Sequence, residues 1–312
     1  MVAGTIAHSE GLEMGLLDGR VAVVTGAGRG LGRAHALALA AAGAHVVVND
    51  LGAALNGEDT ADTPAESVVA EITAAGGSAI ADTGSVSDWE SAGSILAHAI
   101  EAFGRLDAVV NNAGITRDKV IASASEQDFD ATIAVHLKGT YALTHHAATY
   151  WREQSKAGNP VSGRIINTVS GAGMFGNVGQ SAYGAAKSGI IGITLATALE
   201  LRRYGVTVNA ISPLARTRMT AGLLAEVADG TFDPVAPENA SGVVAYLASA
   251  ESGWLTGQVL RIEGNRLIRM RQWTPDGAYT SRGEGALTAD ELVDGVPLLF
   301  GTMPTGVTSL NK

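Results

Sequence analysis

Short apolar, β-branched runs alternate with longer stretches of helical periodicity along most of the chain. The runs Val21–Thr25, Ala44–Asn49, Ser78–Ala81, Ala108–Asn111, Arg164–Ser170, Val206–Ile211 and Gln258–Ile262 predict strands. They lack a clean apolar/polar alternation, which marks strands buried on both faces. Between them, Leu31–Ala42, Pro64–Ala75, Asp88–Phe103, Ser125–Gln154, Ser181–Tyr204 and Pro237–Ser249 predict helices. Asp88 is placed to cap the third helix, and Gly43, Gly76 and Gly205 to stop others. The β-α order predicts an α/β fold: a Rossmann-type, doubly wound parallel sheet of about seven strands, in a single domain.

Three segments fall outside this rhythm. Residues 1–15 read as a leader, and 151–163 as a surface loop. Residues 264–312 read as an extension with room for a strand at Arg266–Met270 and a short helix at Ala289–Asp294 capped by Thr288. The extension is too short to form a second core, so the domain is expected over 16–263. The opening residues lack a basic segment followed by an apolar one, and the last four match no retention or peroxisomal signal; the expected location is the cytosol. No apolar run approaches the roughly 20 residues of a membrane span.

Composition narrows the chemistry. The 312 residues contain no Cys, which removes disulfides, thiolate catalysis and Cys-type zinc sites. A formal net charge of −10 argues against nucleic acid as a partner. It does not oppose an anionic cofactor, because backbone amides at a helix start bind phosphate whatever the overall charge. No metal site is expected: His145 and His146 share one helix with no ligand constellation around them.

The segment VAVVTGAGRGLGRAHALALAAAGA is a strand, a glycine loop and a helix. Gly26, Gly30 and Gly32 remove side chains where the backbone would meet a pyrophosphate, and the amides around Arg29, Gly30 and Leu31 open the helix. A plain tight turn would use the same glycines. The position after the first strand and before an Ala-rich helix favours a dinucleotide. Asp50 closes the second strand, where a carboxylate accepts both ribose hydroxyls and repels a 2′-phosphate, so NAD is favoured over NADP. Arg29, a cation in the same loop, pulls the other way, and Asp50 read alone is also an acceptable turn residue.

Ser170, Tyr183 and Lys187 form an S-x12-Y-x3-K pattern. Tyr183 and Lys187 stand four apart in a helical segment and share one face. An ammonium beside a phenol favours the phenolate, so the Tyr183 pKa is expected to fall, fitting it to exchange a proton with an alcohol or carbonyl. Ser170 ends an apolar strand and is placed to hydrogen-bond the same oxygen.

With T-G-x3-G-x-G at 25–32, Asn111-Asn112-Ala113-Gly114, the Ser-Tyr-Lys spacing, and Asn209-Ala210-Ile211-Ser212-Pro213, the chain resembles the short-chain dehydrogenase/reductase family over residues 16–263. The resemblance implies hydride transfer with a nicotinamide cofactor and a homodimer or homotetramer. It makes Tyr183 the acid/base, Lys187 the holder of the nicotinamide ribose, and Ser170 the orienter of the substrate oxygen. It also brings Asn111, Ala113, Gly114, Pro213, Leu214 and Thr217 to the cofactor. Where the family often has Asn, this chain has His136 in VHLKG. His136 either fills the Asn's hydrogen-bonding place or acts as a titrating relay toward Lys187. Where many members set an Asp against the adenine edge, this chain has Gly84 or Ser85.

Within the family, VVVNDLG, VHLKGTY, MFGNVGQSAYGAAKSGIIG and SPLARTRMT look similar to the dehydrogenase modules of peroxisomal multifunctional type 2 enzymes and their single-module bacterial relatives. That resemblance implies oxidation of 3-hydroxyacyl-CoA thioesters with NAD. The long Asn56–Pro64 segment fits it too. Arg216 and Arg218 stand at the expected entrance, for CoA phosphates or simply for solvent, and Met219–Phe232 is a candidate lid. A hydroxysteroid or other secondary-alcohol dehydrogenase stays open, as does a non-catalytic dinucleotide-binding protein.

Overall fold

A computed structural model describes residues 15–54, 56–57, 63–216, 231–271, 273, 275, 277–281 and 286–300. Nearly all of the leader, most of Asn56–Pro64, Thr217, Arg218 and nearly all of the candidate lid lie outside the described residues.

Eight strands form one sheet in the order β3-β2-β1-β4-β5-β6-β7-β8. They are β1 Val21–Thr25, β2 His45–Asn49, β3 Ser78–Asp82, β4 Ala108–Asn111, β5 Arg164–Thr168, β6 Thr207–Leu214, β7 Val259–Glu263 and β8 Arg266–Met270. The first seven are parallel. The eighth folds back antiparallel on β7 through a tight turn whose Gly264 has φ 57°. The expected seven strands are therefore eight, the extra one standing at Arg266–Met270.

Helices cover both faces: α1 Gly30–Ala41, α2 Pro64–Ala74, α3 Trp89–Phe103, α4 Glu126–Thr132, α5 Gly139–Lys156, α6 Gly171–Phe175, α7 Ser181–Leu201, α8 Ser241–Ala248 and, in the extension, α9 Ala289–Phe300. Successive strand residues point to opposite faces, and the two halves of the core follow that rule. Ala22, Val24, Val46, Val48 and Val110 pack with Leu39, Val68, Ile72 and Val244 from α1, α2 and α8. Val21, Val23, Val47 and Val109 pack with Ile95, Leu143, Trp151 and Ala198 from α3, α5 and α7. Strands fed from both sides in this way carry continuous apolar runs, as their sequence does.

Asp88 Oδ1 accepts from Ser91 N at 2.8 Å and starts α3. Several boundaries differ from the sequence reading; the short helix expected at Ala289–Asp294 runs on to Phe300. The surface loop expected from Trp151 begins later, because α5 runs to Lys156; Trp151 is buried and donates its indole N–H to the Leu106 carbonyl at 2.8 Å. The single helix expected at Ser125–Gln154 is two, joined by a π-helical turn at Ile133–Lys138. The strand expected to reach Ser170 stops at Thr168, and Ser170 instead caps α6, its Oγ accepting from Ala172 N at 3.2 Å. No helix among the described residues is long and apolar enough to cross a membrane.

Candidate active site

The strand order reverses between β1 and β4, which opens a crevice at the carboxyl ends of the strands. The loops after β1, β2, β4, β5 and β6 all lead out to that edge.

The loop after β1 reaches α1 without a side-chain cap: Arg29 occupies the N-cap with extended backbone and makes no capping hydrogen bond. The first-turn amides of a helix have no partner inside it, so they are left to meet an anion. Glycine is required here for two reasons. Gly26 and Gly30 have φ of 60° and 52°. A Cβ on Gly32 would lie 2.1 Å from the Gly26 carbonyl oxygen, and one on Gly26 would lie 2.8 Å from Ala113 Cα. The last contact shows that the loops after β1 and β4 press together.

Thr25 and Asn112 join those two loops; the sequence reading held both inside its motifs but gave neither a role. Thr25 Oγ1 accepts from Asn112 N and Ala113 N at 3.0 and 3.1 Å. Asn112 Nδ2 donates to the Thr25 and Gly26 carbonyls at 2.9 and 3.2 Å. Asn111, singled out instead, turns its side chain away from the glycine loop. Its Nδ2 donates to Asn167 Oδ1 at 2.9 Å, and Asn167 in turn donates to Thr194 Oγ1 at 2.9 Å, a buried polar line beneath the site. The doubled Asn was the available signal: adjacent strand-end residues point opposite ways, so one of the two has to face the loop.

Asp50 sits beside the glycine loop. Its Oδ2 accepts from Gly28 N at 2.8 Å and its Oδ1 from Gly52 N at 2.9 Å, so two backbone amides aim the carboxylate. Asp82, at the end of β3, accepts from Asn49 Nδ2 and Gly84 N, both at 2.8 Å, and so fixes the Gly84 turn. Uncapped amides, an aimed carboxylate and glycines that admit no Cβ together suit the pyrophosphate and ribose of a dinucleotide. Arg216 pairs with Asp233 at 3.5 Å, so its charge already has a protein partner and does not stand open to CoA phosphates.

Ser170, at the start of α6, and Tyr183, in the first turn of α7, stand close enough that the Ser170 hydroxyl acts on the phenol and favours its ionised form. Lys187 lies one turn further on, with Nζ 5.5 Å from the centre of the Tyr183 ring. The ammonium is buried and donates to the Thr168 carbonyl at 2.7 Å. Burial pushes its pKa down to about 7.

The expected fall of the Tyr183 pKa does not occur. Desolvation around its hydroxyl raises it, Asp118 raises it further, and only the Ser170 hydroxyl opposes them. The reason is geometric: the Lys187 ammonium is directed at Thr168, and the cation expected to offset burial is not directed at the phenol oxygen.

His136 lies in the π turn, where an extra residue swells the helix toward the site. Its ring meets the Tyr183 ring edge-on at 5.1 Å. Nε2 lies 2.9 Å from the Ile115 carbonyl and 3.2 Å from its N–H. Burial, followed by the Lys187 charge, pushes the pKa to about 3. Burial and the Lys187 charge both oppose an imidazolium here, and with the Ile115 contacts they favour the packed, hydrogen-bonding reading of His136 over a titrating relay. A Cβ on Gly114 would lie 2.5 Å from His136 Cε1.

The remaining expected residues lie around this group. Ala113 and Gly114 follow β4 and touch the glycine loop and His136 respectively. Pro213 and Leu214 end β6, with Leu214 exposed at the same edge. Leu31 packs partly into the core beneath α1. Gln180, just before α7, donates to Asp118 at 2.6 Å and ties the loop after β4 to the helix bearing Tyr183. The sequence reading overlooked this tie.

The family model described as short chain dehydrogenase matches residues 20–227. Over 284 residues the chain is 45% identical to hydroxyacyl-CoA dehydrogenase ChsB1 of Mycobacterium tuberculosis, covering 88% of this chain and 87% of that protein. It is 47% identical over 296 residues to peroxisomal multifunctional enzyme type 2 of Drosophila melanogaster, covering 95% of this chain but only 46% of that longer protein. A crystal structure of a short chain dehydrogenase from Mycobacterium avium superposes with a TM-score of 0.85 at 52% identity, covering 96% of this chain and all of that one.

Proposed function

The chain belongs to the short-chain dehydrogenase family, and from that membership we propose that it oxidises 3-hydroxyacyl-CoA thioesters to 3-oxoacyl-CoA with NAD. The relative named hydroxyacyl-CoA dehydrogenase, matched along most of both chains, supports this substrate class. The catalytic module is residues 16–263, with 264–312 an appendage. The observation that carries the proposal is the grouping of Ser170 and Tyr183, neighbouring hydroxyls, with the buried Lys187 ammonium one helical turn from the phenol, at the mouth of a dinucleotide crevice.

The uncapped amides at the start of α1 would hold the cofactor's pyrophosphate, Asp50 its adenosine ribose, and Lys187, Pro213 and Leu214 its nicotinamide end. When bound, it accepts the carbinol hydride and brings a positive ring to the site. The chain's own residues manage the proton. Ser170 donates a hydrogen bond to the substrate oxygen and orients it. The Tyr183 phenolate takes the hydroxyl proton, and the phenol returns it in the reverse direction. Because the surrounding protein alone raises the Tyr183 pKa, ionisation of this phenol depends on positive charge arriving with the cofactor. Ser170 then holds the nascent carbonyl. His136, neutral and pinned by Ile115, sets the position of the Tyr183 ring.

Asp50 underlies the choice of NAD: a second anion beside a carboxylate already aimed by two amides is repelled. The test compares kcat/KM for a 3-hydroxyacyl-CoA and for a free hydroxysteroid, followed by reduced-cofactor absorbance. The thioester is expected to exceed the steroid by about 100-fold or more. Equal values, or a steroid preference, would replace the substrate assignment by a hydroxysteroid dehydrogenase.

A further inference from the structure

The catalytic residues stand at the carboxyl ends of the strands. At the opposite edge, Arg164 begins β5 and Thr207 begins β6. Beside them lies a cavity of about 410 Å³ whose lining includes Ser162, Arg164, Arg202, Thr207, Trp254 and Thr256. Arg164 and Thr168 stand at opposite ends of β5, four strand steps or roughly 13 Å apart at about 3.3 Å each, and Ser170 lies beyond Thr168, so this cavity is separate from the crevice.

Arg164 is 3% exposed. Its Nε donates to Ser249 O at 2.9 Å, Nη1 to Gly163 O at 2.8 Å and Nη2 to Ala250 O at 3.4 Å. Those bonds close the chain after α8 and account for three of the five guanidinium N–H groups. Among the described residues no carboxylate pairs with it. Asp107, which acts on Arg164 from a distance, is held by Arg105 at 2.7 and 2.8 Å. Arg20 adds a further cation nearby, donating to the Ser162 carbonyl at 2.7 Å. Burial, then the Arg20 charge, pushes the Arg164 pKa to about 10. Buried charges are ordinarily paired, so a buried guanidinium served only by carbonyls leaves room for an anion.

Two further observations point to the same ligand. Thr207 is 6% exposed and lines the cavity, and its Oγ1 is buried with no hydrogen-bond partner. None of the lining residues is acidic, in a chain whose formal net charge is −10. The volume exceeds what one small oxyanion needs, and Trp254, 75% exposed, offers an aromatic face at the rim.

We propose that this cavity binds the phosphate of a small phosphomonoester, with Arg164 and Arg202 supplying guanidinium donors, Thr207 a hydroxyl donor, and Trp254 a face for the attached ring. Arg–phosphate pairing is the strong, geometrically specific interaction such a site uses.

The test uses full-length protein saturated with NAD, so that the crevice does not compete. Inorganic phosphate and AMP are titrated against sodium chloride at matched ionic strength, with the unfolding midpoint and calorimetric Kd as readouts. Phosphate is expected to raise the midpoint beyond chloride. Thr207→Val and Arg202→Gln are each expected to weaken phosphate by about tenfold while NAD affinity stays within about twofold. AMP binding about tenfold tighter than phosphate, with the gain lost in Trp254→Phe, would identify a ring-bearing ligand; equal affinities would identify free phosphate at the same donors. No phosphate effect beyond chloride, or variants that bind phosphate like wild type, overturns the proposal. A second measurement needs no variant: phosphate should protect Arg202 of the wild-type protein from an arginine-specific dicarbonyl reagent, read by mass spectrometry. Equal modification with and without phosphate also overturns it.

Discussion

Replacing Gly114 by Ala places one methyl group between the loop after β4 and the His136 ring. The new Cβ would stand 2.5 Å from His136 Cε1 and 3.2 Å from Nδ1. Ordinary contact begins near 3.4 Å, so ring and loop must separate by about 0.9 Å. A side-chain end often yields at little cost, but this one is 1% exposed and held by the Ile115 backbone. Ile115 is the residue after the substitution, so the loop cannot retreat without pulling its own anchor. Overpacking of this kind costs about 1–3 kcal/mol. The ring also lies edge-on to Tyr183 at 5.1 Å, so its displacement moves the proton-exchanging phenol. A shift approaching 1 Å at a reacting group costs on the order of 100-fold in rate. Urea unfolding and steady-state reduced-cofactor absorbance measure the two effects. His136→Asn, a smaller polar side chain, should relieve the clash, giving a double-mutant coupling of roughly 1–2 kcal/mol. Wild-type stability and turnover in Gly114→Ala, or no coupling to His136→Asn, would refute the reasoning.

Acid stability follows from two buried imidazoles. The pKa of His35 is pushed to about 4 and that of His136 to about 3, chiefly by burial. Both lie below the unfolded value of about 6.5, so between these limits the unfolded chain binds more protons. Their contribution to stability is complete above about pH 6.5 and falls with pH below it, by about 1.4 kcal/mol per pH unit for each group; urea midpoints measured from pH 7 to 5 should show this, and a flat profile would contradict it. Cofactor choice gives another test. Asp50→Ala should lower kcat/KM with NAD by about 10–100-fold and narrow the preference over NADP, as lost ribose hydrogen bonds and lost repulsion require. An unchanged NAD/NADP ratio in steady-state kinetics would remove Asp50 from that role.

Much of the architecture is written in local pattern. The strand runs are apolar throughout because helices cover both faces, and Gly43, Gly76 and Gly205 all have positive φ at helix ends. The π turn at Ile133–Lys138 was not legible, because one inserted residue shifts a helical face without breaking its apolar rhythm. Nor was α6, since GAGMF is as good a loop as a helix until Ser170 caps it. At the site, residue types and spacing were readable and orientations were not. Which of Asn111 and Asn112 faces the glycine loop depends on the register of β4 against β1. The direction of the Tyr183 pKa depends on what Lys187 bonds to, and the partner is a carbonyl 19 positions away in sequence. The Ile115 backbone that fixes His136 is likewise a tertiary contact.

The central claim is that the Tyr183 hydroxyl carries the proton of an alcohol oxidation. Its most direct test is Tyr183→Phe, assayed for NAD affinity by calorimetry and for turnover of a 3-hydroxyacyl-CoA by reduced-cofactor absorbance. The dinucleotide should bind as in wild type while kcat drops by about 1,000-fold, the scale of general acid–base catalysis. Wild-type turnover in a variant that still binds NAD would contradict the account.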